Sequence, residues 1–279
     1  MTNDLANKIA TKQVETKAAP TIKDLVRSQQ PAIEAQLAGA LNSGAFVRAA
    51  ISEINKSDDL LQATSASVLG SIMLAAQLKL EIGPALGHFY LTPRKEKGVQ
   101  ICLPIVGYQG LIELAYRSGR VGKIETFLVR EGDKFDYGAN SERGRFFDWN
   151  PADYDENRAW TGAVVTAQIL GGGVVWAYMP KEKILERRPS HWKYTPWATN
   201  EEEMARKTLV REVSPYLPKS TDFGLAVQVT RDVEERGAKV ESIAGVHDLV
   251  VTQNEGETFV VPPADLDPAD PNYVEPTPA

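Results

Sequence analysis

The 279-residue chain is 43% hydrophobic and 24% charged, the proportions of a globular protein large enough to bury a core without disulfides or metals. No apolar run approaches the roughly 20 residues needed to span a bilayer, the N-terminus lacks the basic stretch and apolar run of a secretory signal, and the one cysteine, Cys102, excludes an intrachain disulfide, so a cytoplasmic protein is expected. The net charge of −6 speaks against a nucleic-acid ligand until it is placed: eight carboxylates and no lysine or arginine fall between Glu241 and Ala279, which leaves +2 for residues 1–240.

Residues 1–20 are polar and without period, and read as a flexible arm. A folded segment is expected over 21–235 and an acidic, disordered tail over 236–279. From Thr21 to about Ser57, helical spacing runs through Ile22, Leu25, Val26, Ile33 and Leu37, then Leu41, Phe46, Val47, Ala50 and Ile54,. Thr64-Ser65 caps a helix to about Leu80, with Gly83-Pro84 as its stop,. The pattern then turns extended: His88–Thr92 and Val99–Val106 read as strands joined by a basic connection from Pro93 to Gly98,. Gly107 to Arg117 is a helix ended by Gly119 at C′, and Lys123–Arg130 a strand followed by short β-like pieces. Trp160–Leu170 and Val174–Met179, joined by three glycines, form the clearest hairpin,. Pro180 at N1 opens a helix through Arg188, and Thr199 or Asn200 caps another that begins Glu201-Glu202-Glu203,. Helices and antiparallel hairpins in blocks give an α+β fold, a hairpin-rich sheet packed with helices.

Several chemistries are missing. There is no Gly-x-x-x-x-Gly-Lys-Ser/Thr loop and no Gly-x-Gly-x-x-Gly turn, hence no standard nucleotide site, and no Gly-x-Ser-x-Gly elbow. Three scattered histidines and one cysteine do not make a local zinc set. Cys102, in an apolar strand, reads as a buried structural thiol. Asp133, Asp136, Asp148, Asp153 and Asp155 offer the oxygen ligands of a Mg²⁺-dependent nuclease, although their glycine, proline and asparagine neighbours favour turn acids. Neither a metal nor a cofactor is expected.

Cations and aromatics remain. From Trp176 to Ser220, Lys181, Lys183, Arg187, Arg188, Lys193, Arg206, Lys207, Arg211 and Lys219 alternate with Trp176, Tyr178, Trp192, Tyr194, Trp197 and Tyr216. Single-stranded nucleic acid is held by this combination, because cations track phosphates while π-faces stack bases without reading sequence. Lys207 and Arg211, four apart, share a helix face; a solvated face with Glu203 pairing to Lys207 is the other reading. The tryptophans are either core anchors or base platforms. A second basic group runs through Arg94, Lys95, Lys97, Arg117, Arg120, Lys123 and Arg130. The tail is either a spacer or a mimic of DNA.

The stretches Ala85–Pro93, Gly107-Tyr108-Gln109-Gly110 through Gly119, and Val129–Asp133, with a second block from Trp197 through Glu203–Arg211 to Tyr216–Ser220, resemble the RecT family of phage annealing proteins over roughly residues 60–222. The resemblance implies an ATP-independent protein, not an enzyme, that binds single-stranded DNA, assembles into rings or helical filaments, and pairs complementary strands during homologous recombination. It also implies a 5′→3′ exonuclease as partner, with a host single-strand-binding protein as a further candidate. Gln109 departs from the family's usual lysine or arginine, so a neutral hydrogen-bonding group replaces a cation there. The residues assigned to DNA are Arg94, Lys95, Tyr108, Gln109, Arg117, Lys123, Arg130, Lys181, Lys183, Trp192, Trp197, Arg206, Lys207, Arg211 and Lys219. The rival functions are a coat on single strands that does not anneal, a nuclease using the loop aspartates, and a phage assembly protein.

Overall fold

Between Ser65 and Leu78 the chain has no charged residue, and a helix that is apolar on nearly all sides must be enclosed by other elements. The computed structural model describes residues 20–235 except 143, 154, 156 and 191; the expected arm up to residue 19, the expected tail and His191 therefore lie outside the described residues. In it this segment is α5 (Ser65–Leu78), buried at ten of its fourteen positions. Against it pack α1 (Ile22–Ser28) and α2 (Gln30–Leu37); α3 (Ser43–Asn55) packs in turn on α1 and α2, and α4 (Asp58–Leu61) on α3. Side chains of Thr21, Asn42, Ser57 and Thr64 each accept a bond from a backbone N–H of the first turn that follows, which satisfies donors the helix leaves orphaned.

Strands β1 (Phe89–Glu96) and β2 (Val99–Val106) form an antiparallel hairpin in unbroken register from Phe89↔Val106 to Glu96↔Val99. The turn is only Lys97-Gly98, both at positive φ (46° and 86°), as the favoured two-residue hairpin turn requires. The expected six-residue connection is thus corrected: Pro93 to Glu96 are strand, and Pro93 is tolerated because a two-stranded sheet is all edge. The hairpin lies on α5, where the Cys102 N–H donates to Ser67 Oγ at 2.9 Å. Cys102 is fully buried, and burial pushes its thiol up to about 12.

Helix α6 (Tyr108–Arg117) follows, with Gly119 just past its cap at φ 66°. Strands β3 (Val121–Arg130), β6 (Trp160–Ile169) and β7 (Val174–Pro180) form an antiparallel sheet in the order β3-β6-β7. The short β-like pieces are a separate hairpin, β4 (Lys134–Asn140) and β5 (Gly144–Asn150). It lays aromatics on the outer face of the three-stranded sheet: Trp149 stacks on Phe127 at 4.3 Å between ring centres, and Phe135 and Tyr137 meet Tyr178 at 4.6 and 4.5 Å. The inner face, through Ile124, Leu128, Ala163, Val165 and Ala167, joins the main core.

Helix α7 is short (Lys181–Leu185) with Pro180 as its N-cap. The expectation of a helix through Arg188 fails because the residue before a proline, here Pro189, is disfavoured in helical conformation. Helix α8 (Glu201–Val213) has Asn200 as N-cap without a capping side-chain bond, and three glutamates in its first turn. A 3₁₀ turn (Ser214–Tyr216), α9 (Thr221–Val229) and a π-helical turn (Thr230–Glu235) complete the described chain. The architecture is α+β, as expected.

Gly107 and Gly110 owe their identity to packing. An ideal Cβ on Gly107 would stand 1.9 Å from the Gly87 carbonyl oxygen, and one on Gly110 2.4 Å from that of His88. The Gly107 N–H donates to that same His88 oxygen at 2.9 Å. These glycines let α6 start directly against the 87–88 backbone, aligning Tyr108 and Gln109. Gly107→Ala and Gly110→Ala should each destabilise the protein by about 1–3 kcal/mol or more in urea melts, whereas Gly173→Ala, whose Cβ meets nothing within 4 Å, should be close to neutral. Equal midpoints for Gly107→Ala and Gly173→Ala would refute the packing account.

Candidate nucleic-acid interface

Helix α8 is the element from which the site is built. Ala205, Leu209, Val210 and Val213 anchor it in the core, so its charged residues emerge in fixed directions. Its last two turns form one wall of an open cleft of about 740 Å³, whose other walls are β1–β2, the turn at Pro196–Ala198, the 214–216 turn, and α9 with the π-helical turn. Six cations line it: Arg94 and Lys95 from β1, Lys207 and Arg211 from α8, Arg187 and Arg231. Among the described lining residues the only carboxylate is Glu212, paired with Arg187 at 2.8 Å. The floor is apolar, with Leu103, Ile105, Met204 and Val227. A concave surface with one sign of charge over low-dielectric walls concentrates its field on an incoming anion.

The structure thus brings together five of the residues assigned from sequence: Arg94, Lys95, Trp197, Lys207 and Arg211. Their situations differ. Lys207 is 4% exposed, its stem sunk in the wall, and Arg211 is partly buried. Trp197 is 5% exposed, so its ring is wall and not an open stacking face. Arg188 holds both neighbouring tryptophans: its guanidinium lies 4.6 Å from the ring centre of Trp192 and 5.3 Å from that of Trp197, and pairs with Glu201.

The other assigned cations lie outside the cleft lining, several of them bound into the fold. Arg117 donates to the carbonyls of Leu78 and Lys79 at 2.8 and 2.9 Å and so closes the C-terminal end of α5,. Arg130 donates to the Arg158 carbonyl at 2.7 Å and to both carboxylate oxygens of Glu202 at 3.1 and 3.0 Å, fastening β3 to α8. Arg206 donates to the Thr126 carbonyl at 2.8 Å. Lys181 lies 4.4 Å over the Trp160 ring and 3.4 Å from Glu201. Lys183 and Lys123 are exposed and paired locally, with Glu186 at 3.0 Å and Glu125 at 2.8 Å. Lys219 and Gln109 are exposed. Tyr108 is half-buried; burial first, then the Glu203 carboxylate that accepts its hydroxyl hydrogen bond, raise its pKa above the usual tyrosine value.

Of the cationic and aromatic lining residues, three were not assigned from sequence. Arg187 stood in the basic run without being singled out. Tyr216, 71% exposed at the cleft rim, lies in the Tyr216–Ser220 motif, which could have marked it. Arg231 is followed directly by Asp232, and that sign alternation conceals a cation whose neighbours in space come from β1 and α8.

The loop aspartates are placed for structure. Asp133 is a hub: Oδ2 accepts from Trp149 Nε1 at 2.9 Å and the Arg130 N–H at 3.0 Å, and Oδ1 from Arg158 at 2.8 Å and the Ala152 N–H at 3.1 Å. Asp136 and Asp148 face each other across the β4–β5 register. Among the described residues, no three histidine, cysteine or acidic side chains come together as a metal ligand set.

The model of the RecT family matches residues 44–243, beyond both ends of the stretch that carries the motifs. Protein RecT of Escherichia coli (strain K12) is 34% identical over 210 residues, 72% of this chain and 77% of that protein. The uncharacterized protein YqaK of Bacillus subtilis (strain 168) is 28% identical over 175 residues, 59% of this chain and 56% of its own length.

Burial pulls the Asp133 carboxyl upward, but its four hydrogen bonds outweigh that and hold it well below its ordinary value of 3.8. A carboxyl depressed by folding contributes stability that is present above the unfolded value and lost as pH falls below it. The urea midpoint of the wild type should therefore exceed that of Asp133→Asn near neutrality, and the gap should shrink as pH falls below about 4. A gap independent of pH would show that the carboxylate charge is not what the hub uses.

Proposed function

The chain belongs to the RecT family, and from that premise we propose that it binds single-stranded DNA in the cleft between β1–β2 and the α8–α9 region and pairs complementary strands without a nucleotide cofactor. The observation that carries the assignment of the cleft is the six cations against one carboxylate among its described lining residues. Arg94, Lys95, Arg211 and Arg231 meet phosphates, with Lys207 charging the wall behind them. Tyr216 is the exposed ring on which a base stacks, a contact worth about 1–3 kcal/mol. The apolar floor takes further base faces, which suits binding without sequence preference.

The protein acts in this reading as an annealing protein in phage homologous recombination inside the bacterial cell. It acts on single-stranded DNA and the annealed duplex intermediate, self-assembles into a ring or filament, and receives its strand from a 5′→3′ exonuclease, with a host single-strand-binding protein as a second partner. Residues 21–235 are the binding and assembly unit and 236–279 an appendage to it. No covalent step is required: neutralising the phosphates of two strands removes the repulsion that slows their pairing, and base pairing supplies the rest.

Affinity for an oligo(dT) strand should fall with salt along a log–log slope of about −3, as expected if Arg94, Lys95, Arg211 and Arg231 neutralise four phosphates. Arg94→Ala with Arg211→Ala should reduce that slope by about 1.4 in fluorescence anisotropy, Tyr216→Ala should weaken binding with the slope unchanged, and Lys123→Ala should alter neither. A double variant with wild-type affinity and slope would remove the strand from the cleft. Complementary oligonucleotides should pair faster with the protein present and ATP absent; a rate equal to that of the strands alone, despite binding, would leave only the non-annealing coat.

A further inference from the structure

Arg94, Lys95 and Arg231 line the cleft beside an apolar floor, and cations gathered over low-dielectric walls attract a polyanion, which the chain carries itself. The last described residues form the π-helical turn Thr230–Glu235, of which Arg231 and Val233 are cleft wall. The described chain therefore ends in an element of the cleft wall. Beyond it, Glu241 to Ala279 hold eight carboxylates and no lysine or arginine. One stretch matches the cleft in more than charge: Glu255 and Glu257, then Phe259-Val260-Val261, then Asp265 and Asp267. Anions flank an apolar centre, as the cleft's cations flank an apolar floor. The 20 residues from Glu235 to Glu255 reach up to roughly 65–70 Å when extended, so the tether does not limit docking, and a ligand tethered at this length faces its site at an effective concentration on the order of millimolar.

Resting on the reading of the cleft as the strand's site, we propose that residues 255–267 occupy the cleft of the DNA-free protein in cis, as an anionic and apolar stand-in that single-stranded DNA must displace. The bulk acidity of the chain is then a reserve of competing charge. It sets a threshold: short or sparse anions lose to the tethered segment, whereas a long strand offering many phosphates wins. Weak non-specific binding to other polyanions is suppressed by the same contact.

The test uses the full chain with a benzophenone amino acid in place of Phe259, irradiated without DNA and again with saturating oligo(dT), the cross-links being mapped by mass spectrometry. Cross-links should join position 259 to residues 93–95, 207–216 or 227–233 of the same chain and fall at least about fivefold both with DNA and when Glu255→Gln, Glu257→Gln, Asp265→Asn and Asp267→Asn are combined. The neutralised protein should bind oligo(dT) on the order of tenfold tighter at low salt and within about twofold at 0.5 M, where screening removes the competitor. Cross-links that fall elsewhere in the DNA-free protein, or that bridge heavy- and light-isotope chains in a mixture, would overturn the docking, and equal affinity at low salt would overturn the competition. Failure of the strand's assignment has a different signature: DNA bound, with the cleft cross-links undiminished.

Discussion

A helix with seven charged residues in thirteen, Glu201, Glu202, Glu203, Arg206, Lys207, Arg211 and Glu212, runs through the middle of this molecule, and the charges that packing takes out of water, wholly for Lys207 and in part for all the others but the exposed Glu203, are tolerable only where each finds a partner. That constraint organises the rest. Glu202 is met by Arg130 from β3, Arg206 by the Thr126 carbonyl, Glu201 by Arg188 and Lys181, Glu203 by Tyr108, and Glu212 by Arg187. Each pairing draws a different element onto α8: the three-stranded sheet, the α7 region with the tryptophan turns, and the start of α6. What those elements leave open on the last turns of the helix is the cleft, with Lys207 and Arg211 in its wall.

The same constraint sorts the arginines and lysines into two kinds. A guanidinium that already donates to backbone carbonyls, as Arg117 does to Leu78 and Lys79 and Arg206 to Thr126, has its donors committed in a fixed fork, and breaking those bonds leaves buried acceptors unsatisfied. Loss of such a residue acts on binding through the fold. Among the described residues Arg94, Lys95 and Arg231 carry no such commitments to carboxylates and face the cleft. Basic residues close in sequence therefore have opposite jobs, and the distinction is set by which carbonyl or carboxylate the fold brings near.

This explains how far the sequence could be read. Helix α5 was legible from its Thr64-Ser65 cap and the Gly83-Pro84 stop, α6 from its glycine stop, and the β6–β7 hairpin from two extended runs around a triple glycine, because those signals are local. The β1–β2 turn was drawn too long, since Pro93 suggests a loop unless the strand is known to be an edge. The basic run from Lys181 to Lys219 was visible as composition, but composition carries no directions: Lys181 rests on Trp160 while Arg211 faces the cleft. Arg231 was hidden altogether, because its value comes from β1 and α8, well over a dozen residues away in the chain and adjacent only after folding. The Gly107-Tyr108-Gln109-Gly110 motif was visible as a pattern, and its glycines turn out to answer to the 87–88 backbone rather than to a ligand.

The aromatic hairpin shows the opposite economy. β4 and β5 contribute little to the helical core, yet they cover the outer face of β3-β6-β7 with Phe135, Phe147 and Trp149 and fix themselves by one buried hub, Asp133. Covering that face with rings that are themselves only partly buried leaves a ridge of aromatic edges, Tyr137 and Trp149 among them, on the side of the sheet opposite α8. The sheet thus separates two surfaces of different chemistry: cations over an apolar floor beyond the helix, and aromatic rings beneath the strands. Arg130–Glu202 and Arg206–Thr126 fasten α8 to β3, so the helix that carries Lys207 and Arg211 is held against the inner face of the sheet.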